Sequence, residues 1–417
     1  MKEVSKYIIQ FIKQHFINKK KSPPLSDSSK QFVIQLYNHI ITADSHWRTV
    51  QSEIISNSYT YDFTKESFPK GTQYNYMHAG IKNLIETSNK VGKKYSFVLN
   101  GQTIDIHLIY PFSKKDPVNK LSFKKQNTYF NNIAHRIYLW LYVANDIKQN
   151  KCSESLSVYI YLTELFKLLP DKHAMIDEIH ANTAFTTSCS SKNEIHVFRE
   201  EEWFKVFIHE TFHCSGMDFS HSRELTEIAN HKIREIFPVN IDIALFETYC
   251  ELFANNMNIL FYIYLNHTFE KNKDIKIIQE YEKYLYLEQM FSCFQCVKVL
   301  RHYHLTFEDL YSLKDASNKK RSIYKENTNV LSYYVLKTIY LWNMEYVYQW
   351  VLQSNHKSLK FLENEENLHS FIQIIADHYK NESFLYNIQL IEQWFSFKKN
   401  NNAHKIENVT LRMTAIE

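Results

Sequence analysis

The apolar pattern of the chain changes at Arg199, and this change restricts the fold more than any other local feature. Three stretches with strand-like alternation precede it, at residues 156–164, 180–188 and 194–200. From Glu200 to Cys214 the apolar residues recur at helical spacing instead. Three glutamates at 200–202 suit the positive end of a helix dipole, and Gly216 is the expected C-cap. The pattern therefore predicts strands followed by a helix with apolar flanks.

A second strong signal predicts a β-hairpin earlier in the chain. The segment KKYSFVLNGQTIDIHLIYPF alternates apolar and polar residues on both sides of Asn100 and Gly101. Asn-Gly between two such runs is typical of a tight hairpin turn, so a hairpin is expected near residues 95–110. The polar stretch CSSKN, residues 189–193, is short enough to connect the last two strand candidates as another hairpin.

Helical patterns dominate the rest of the chain. After KSPPLSDSSK (21–30), the most linker-like segment, they continue through about residue 90. One helix is predicted after Pro238, and further helices at residues 274–303, 329–353 and 367–396. With only 5 Gly and 7 Pro in 417 residues, the composition also favours helices over a turn-rich all-β fold.

These patterns predict an α+β fold, with a small mixed sheet N-terminal to the helix after Arg199 and a predominantly helical C-terminal half. Three regions are expected. Residues 1–150 form a mostly helical region that includes the hairpin, residues 151–265 form the core with the candidate site, and residues 266–417 form an all-helical lobe.

Charge and cysteine content narrow the expected partners and compartment. The net charge of +4 arises from 49 basic and 45 acidic residues spread along the chain, so no nucleic-acid partner is predicted. The longest apolar runs fall well short of the roughly 20 residues that cross a bilayer, and the N-terminus lacks a signal-peptide core. Six dispersed cysteines do not suggest a disulfide framework. A soluble protein in an intracellular, reducing compartment is expected, with its oligomeric state open.

The pentapeptide HETFH, residues 209–213, has the spacing of a metal site. Residues four apart on a helix are separated by about 40° around the axis, so His209 and His213 share one face and can reach one metal ion. Glu210 is rotated by about 100°, where its carboxylate can act on a water without being a ligand. Metal-assisted hydrolysis needs both functions, because the metal lowers the pKa of a water while the carboxylate accepts its proton.

A catalytic zinc also needs a third protein ligand. In the pattern HExxHxxGxxH that ligand follows the glycine, but Phe219 stands at the matching position, and Asp218 and His221 are out of register. The segment ETYCE offers Glu247 and Glu251 on one face of the next apolar helix. Two carboxylates on such a helix need partners, and either of them could be the ligand.

HETFH followed by ETYCE resembles the gluzincin class of zinc metallopeptidases, which are thermolysin-like in the broad sense and have a zincin-like core. The resemblance implies one Zn²⁺ per chain, held by His209, His213 and Glu247. It implies Glu210 as the general base and Glu251 as the carboxylate that orients a zinc-bound imidazole.

Two further segments carry weaker resemblances. NTAF is similar to the substrate-aligning edge strand of gluzincins, which implies that Asn182, Ala184 and Phe185 contact a peptide substrate. EEWFKVFIHE is similar to segments of uncharacterised proteins of large DNA viruses. That similarity implies a virus-encoded peptidase that acts in the host cell or is packaged in the virion.

Peptide hydrolysis also needs a donor to the developing oxyanion, commonly Tyr or His. In gluzincin-like enzymes this donor comes from the helical half, so Tyr333 or Tyr334 is the predicted residue, and His231 is a further possibility. The cysteines of CFQC (293–296), with Cys214 and Cys250, are interpreted as packing residues.

The function expected from these residues is zinc-dependent hydrolysis of peptide bonds in a protein or peptide substrate. The alternative is a structural or virion-associated protein that keeps a metallopeptidase fold without catalysis.

Overall fold

In the computed structural model, the described residues are all of the chain except 1, 19, 65–66, 70–73, 75–76, 88–89, 112–122, 149–150, 173, 270–272 and 398–404. They form an α+β fold that is mostly helical and contains one mixed sheet, as the sequence predicts. Lys19, within the basic run at 19–21, lies outside the described residues.

The described strands are β1 (Tyr59–Phe63), β2 (Lys90–Leu99), β3 (Gln102–Pro111), β4 (Ser155–Tyr161), β5 (Ala184–Thr186) and β6 (Lys192–Val197). The first described helices are α1 (Glu3–His15), α2 (Asp27–Ser56), α3 (Ala79–Thr87), α4 (Phe123–Asn145), α5 (Glu178–Ala181), α6 (Trp203–Cys214), α7 (Arg223–Ile236) and α8 (Leu245–Asn266). The later ones are α9 (Lys273–His302), α10 (Asp315–Ile323), α11 (Lys337–Trp342), α12 (Met344–Gln353), α13 (Glu365–His378), α14 (Glu382–Phe397) and α15 (Ile406–Val409).

The strand order in the sheet is β1-β2-β3-β4-β6-β5. Strands β1, β2 and β3 are antiparallel neighbours, β3, β4 and β6 run parallel, and β5 returns antiparallel to β6 at the sheet edge. The hairpin predicted near 95–110 is confirmed: Leu99 pairs with Gln102 across a two-residue turn. Asn100 and Gly101 have φ angles of 47° and 81°, the left-handed conformations that such a turn requires.

The strand candidates at 156–164, 180–188 and 194–200 correspond to β4, β5 and β6. The second strand is shorter than predicted, because His180 and Ala181 belong to α5. The residues of CSSKN connect the antiparallel strands β5 and β6, as expected, although Lys192 and Asn193 already belong to β6.

Strand β1 departs from the prediction of helical structure through residue 90. Its sequence YTYDF is aromatic and short, and it pairs along its whole length with β2. The Tyr61 ring lies directly over Gly92, where an added Cβ would come within 2.3 Å of that ring. This cross-strand packing depends on tertiary structure, so local helical spacing did not predict it.

The described residues divide into two compact units. The sheet unit comprises Tyr37–Phe166 and Asn182–His221 and holds all the described strands with α6. The helical unit comprises Met1–Leu36, Lys167–Ala181 and Ser222–Glu417. These boundaries differ from the expected regions 1–150, 151–265 and 266–417, because parallel pairing joins β3 to β4 and β6 in one sheet.

The core of the sheet unit lies between one face of the sheet and the helices α4 and α6. Ile106, Val158 and Ile195 are fully buried on adjacent strands. Helix α6 packs on β5, β6 and α4, and the Phe212 ring stacks on Trp140 at 5.9 Å between centroids. The sheet therefore supports the helix that carries HETFH.

In the helical unit, two predicted helices are each broken once. The helix predicted at 274–303 is confirmed as α9, and the one after Pro238 as α8. The helix predicted at 329–353 begins with a π-helical turn (Leu331–Leu336) and breaks at Asn343, whose amide donates to the Ile339 carbonyl at 2.9 Å. The helix predicted at 367–396 is two helices, because Asn381 accepts the Ser383 amide at 3.0 Å and starts α14 afresh.

Cys152 and Cys189 form a disulfide bond, which the sequence analysis did not predict. Their separation of 37 residues carries no pairing signal. They meet because β4 and β6 are parallel neighbours, and the Ser153 amide donates to the Ser190 carbonyl at 2.6 Å beside them.

Among the described helices, none combines the length and apolar character needed to cross a bilayer.

The disulfide is expected to stabilise the fold. The double variant Cys152→Ser/Cys189→Ser should lose about 2–4 kcal/mol of unfolding free energy, because the bond restricts the unfolded chain. Urea unfolding measures the loss. Reducing agent should lower the stability of the wild type and leave the double variant unchanged; equal stability of oxidised and reduced wild type would contradict the prediction.

Candidate functional site

Helix α6 is buried along its entire length, and every residue from Trp203 to Cys214 has less than a tenth of its surface exposed. It begins three residues later than predicted, because Glu202 adopts a left-handed conformation with φ 59°. Gly216 has φ 61° and its amide donates to the His213 carbonyl, so the predicted glycine C-cap is confirmed. His209, Glu210 and His213 are thus buried inside the sheet unit on a capped helix.

The two histidines of HETFH face each other. Their Nε2 atoms are 3.1 Å apart, and both side chains are buried. Two nitrogens at about 2.0–2.1 Å from one tetrahedral zinc would lie roughly 3.3 Å apart. The spacing of the two imidazoles therefore fits a shared zinc ion.

Asp218 orients the second histidine. Its carboxylate lies 2.5 Å from Nδ1 of His213 and is fully buried. Its other oxygen accepts the Ser220 hydroxyl at 2.9 Å, which holds the carboxylate in place. An imidazole that donates Nδ1–H to a carboxylate presents an Nε2 lone pair, the form that binds metal.

Sequence spacing tests Asp218 only as a ligand, and it does not predict this orienting role. A carboxylate directly after the Gly216 cap is the local signal that could have identified it. Glu251, the residue predicted to orient an imidazole, is buried on α8 in the helical unit, and that role stays a prediction.

Glu210 and Cys214 occupy the same buried helix. Glu210 follows His209 directly, as the motif requires of a general base. Burial raises the pKa of the Cys214 thiol to about 11, so it remains protonated near neutral pH. This supports the interpretation of Cys214 as a packing residue.

The C-terminal end of α6 is anchored to the sheet. The Ser153 hydroxyl and the Asn193 amide both donate to the Cys214 carbonyl, at 2.7 and 2.9 Å. The same amide also donates to the Ser153 hydroxyl and to the Ser190 carbonyl. These contacts lie next to the Cys152–Cys189 disulfide, so the disulfide and this network fix the end of α6 that carries His213.

The predicted substrate-contacting residues lie at the sheet edge beside α6. Ala184 and Phe185 belong to β5, and Asn182 precedes it. The Asn182 carbonyl accepts a hydrogen bond from Nε of the buried Arg199 at 2.9 Å. The Phe185 ring stacks on the His196 ring, with 4.7 Å between the centroids. The prediction of an edge strand is confirmed, and substrate contact by these residues stays a prediction.

The remaining predicted site residues belong to the helical unit. Glu247 is half-buried in the first turn of α8, and Glu251 lies one turn later. Tyr333 and Tyr334 lie in the buried π-helical turn. The Tyr334 hydroxyl donates its proton to the Leu411 carbonyl at 2.6 Å, which argues against Tyr334 as an oxyanion donor.

The other candidates lie on α7 and α9 in the helical unit. His231 is exposed on α7 and pairs with Glu235 at 3.2 Å. Cys293 and Cys296 are free, buried thiols on α9, and burial raises both pKa values, as expected of packing residues.

The chain matches no family model, no curated protein and no solved structure. Functional inference therefore depends on the residues themselves.

Removing the amide that anchors α6 should destabilise the fold. Asn193→Ala deletes two buried hydrogen bonds, to the Cys214 carbonyl and the Ser153 hydroxyl, and two partly buried ones, so it should lower the unfolding free energy by about 1–3 kcal/mol in urea. Asn240→Ala, at an exposed position, should change it by less than about 0.5 kcal/mol. Equal stability of the two variants would show that the network does not anchor α6.

Proposed function

We propose that the protein is a zinc-dependent metallopeptidase of the gluzincin type. The observation that carries the proposal is the His209–His213 pair, whose Nε2 atoms are 3.1 Å apart. Nδ1 of His213 also lies 2.5 Å from the buried carboxylate of Asp218. That arrangement places the Nδ1 proton of His213 against Asp218 and leaves Nε2 as the nitrogen that can bind a metal.

His209, His213 and Glu247 are the proposed ligands of one zinc ion per chain. The imidazole nitrogens and the carboxylate oxygen of this set are donors typical of catalytic zinc. Asp218 binds Nδ1 of His213, so the opposite ring nitrogen, Nε2, is the one proposed to bind the ion. When bound, zinc supplies Lewis-acid polarisation of a carbonyl and lowers the pKa of a water.

Glu210 is the proposed general base. Its carboxylate follows His209 on the same rigid helix, where it accepts a proton from the attacking water and transfers it to the leaving amine. A buried setting strengthens these electrostatic interactions relative to water.

The edge strand β5 is the proposed guide for the peptide substrate. An extended peptide can add to a sheet edge through its own backbone hydrogen bonds. Asn182, Ala184 and Phe185 are the proposed contacts, and Tyr333 remains the proposed oxyanion donor. The zincin-like description of the sheet and α6 belongs to this proposal.

A non-catalytic role is the competing candidate, and one observation favours it. Nε2 atoms 3.1 Å apart also suit a direct imidazole–imidazole hydrogen bond, which would satisfy the pair without metal.

Metal content and activity together distinguish these functions. The purified wild type should contain one zinc per chain by elemental analysis and should cleave a peptide library. His209→Ala and His213→Ala should lose both properties. Glu210→Gln should retain zinc and lose activity by roughly 10²–10⁴-fold, the typical contribution of a general base.

His231→Ala is the matched control, since it removes an exposed histidine outside α6 and should change neither property. Undiminished activity in Glu210→Gln would contradict the catalytic proposal. Zinc binding without any peptide cleavage would support the non-catalytic alternative.

The third ligand can be assigned by comparing four variants in a competition assay for zinc. Asp218→Asn should weaken zinc binding by roughly 10–100-fold, as expected for a residue that only orients a ligand. Glu247→Gln should weaken it more than Asp218→Asn, while Cys250→Ser should leave it unchanged. A larger loss in Glu251→Gln would exchange the proposed roles of the two glutamates, and a large loss in Cys250→Ser would identify Cys250 as a ligand.

A further inference from the structure

The last residues of the chain pass through the interior of the helical unit. We define the C-terminal segment as residues 410–417. From Thr410 to Ile416 each residue has 3% or less of its surface exposed, although apart from one isolated bridge at Thr410 the segment forms neither helix nor strand. Because buried backbone groups need partners, their hydrogen bonds must come from elsewhere.

Helical side chains supply most of these hydrogen bonds, while the Leu411 amide donates to the backbone carbonyl of Lys167 at 2.9 Å. Five carbonyls of the segment accept hydrogen bonds from side chains of the helical unit. The Thr410 carbonyl accepts from Lys298 and Gln295, and the Arg412 carbonyl from Gln295. The Leu411, Met413 and Ile416 carbonyls accept from Tyr334, Lys337 and Asn258, respectively. In return, the Ala415 and Ile416 amides both donate to one carboxylate oxygen of Glu288, at 2.9 Å each. Most buried backbone in a fold pairs with other backbone, whereas here side chains from several helices bind it.

The side chains that bind the segment also make hydrogen bonds that do not involve it. Glu288 also accepts the Asn255 amide at 3.2 Å, and Lys337 donates to the Ser292 hydroxyl at 3.0 Å. Ser292 in turn bonds Thr338 at 2.7 Å. The polar groups that bind the segment are therefore positioned by their own neighbours, which reduces the entropy lost on binding.

Side chains of the segment also contact the helical unit, in addition to the backbone hydrogen bonds. Leu411 and Met413 enter an apolar cluster that contains Ile176, Val299 and Val330. The Thr414 hydroxyl donates to Glu288 at 2.5 Å. The segment thus presents apolar residues at alternate positions, followed by a hydroxyl.

We propose that the helical unit contains a binding site for an extended peptide, and that residues 410–417 are its intrachain ligand. The chemical class of the ligand is an extended chain with two alternating apolar residues and then Ser or Thr, bound chiefly through its backbone. This inference is independent of the proposed peptidase activity.

Exchange of the segment after cleavage tests the proposal in the full-length protein. A protease recognition sequence is inserted after Phe397, which is 84% exposed, and the folded protein is cut there. A synthetic peptide of residues 405–417, labelled on the exposed Lys405, is then added. It should replace the cut fragment and saturate at one per chain by fluorescence anisotropy, while circular dichroism remains unchanged.

Variants and a modified peptide identify the contacts. Lys337→Met and Glu288→Gln should each lower the affinity for the peptide by about tenfold or more, because each removes or weakens hydrogen bonds to a charged group. Methylation of the Ile416 amide nitrogen should have a similar effect. Lys319→Met, which changes an exposed lysine, is the control and should bind as the unsubstituted protein does.

Three outcomes would overturn the proposal: loss of helical structure on cleavage, a retained fragment that does not exchange over days, or unchanged affinity in Lys337→Met. The first two would show that the segment is an integral part of the helical core, and the third would show that the Lys337 contact does not contribute to peptide binding.

Discussion

The burial of α6 is the constraint on which the candidate site depends. A helix buried over all twelve of its residues carries two histidines and a glutamate. Buried polar groups are costly without partners, so each imidazole must be satisfied inside the protein. His213 is satisfied on one side by Asp218 and faces His209 on the other. The two Nε2 atoms, 3.1 Å apart, therefore lie at a distance that suits a shared metal ion or a direct hydrogen bond.

The sheet makes this burial possible. Parallel pairing of β4 with β6 places Ser153 and Asn193 where both can donate to the last carbonyl of α6. The disulfide joins residues next to the same two strands. The edge strand β5 lies beside the helix on the same sheet, so the two candidate histidine ligands and the candidate substrate strand share one support.

Local signals were sufficient for part of this structure. Asn100 and Gly101 predicted a turn because few residues adopt left-handed backbone, and the helical spacing after Arg199 predicted α6 and its glycine cap. Features that depend on distant contacts were missed. Strand β1 packs the Tyr61 ring over Gly92 of the neighbouring strand. Cys152 and Cys189 are brought together by the pairing of β4 with β6. Asn343 interrupts a continuous apolar helical pattern through one side-chain hydrogen bond. Asp218 was overlooked because sequence spacing tests for ligands and not for residues that orient them.

The proposed ligand set can be tested by X-ray absorption at the zinc edge of the full-length protein, loaded with one equivalent of zinc. The expected spectrum has two imidazoles and additional oxygen, all at about 2.0–2.2 Å from the ion. A sulfur ligand at about 2.3 Å, fewer than two imidazoles, or failure to bind zinc at all would contradict it.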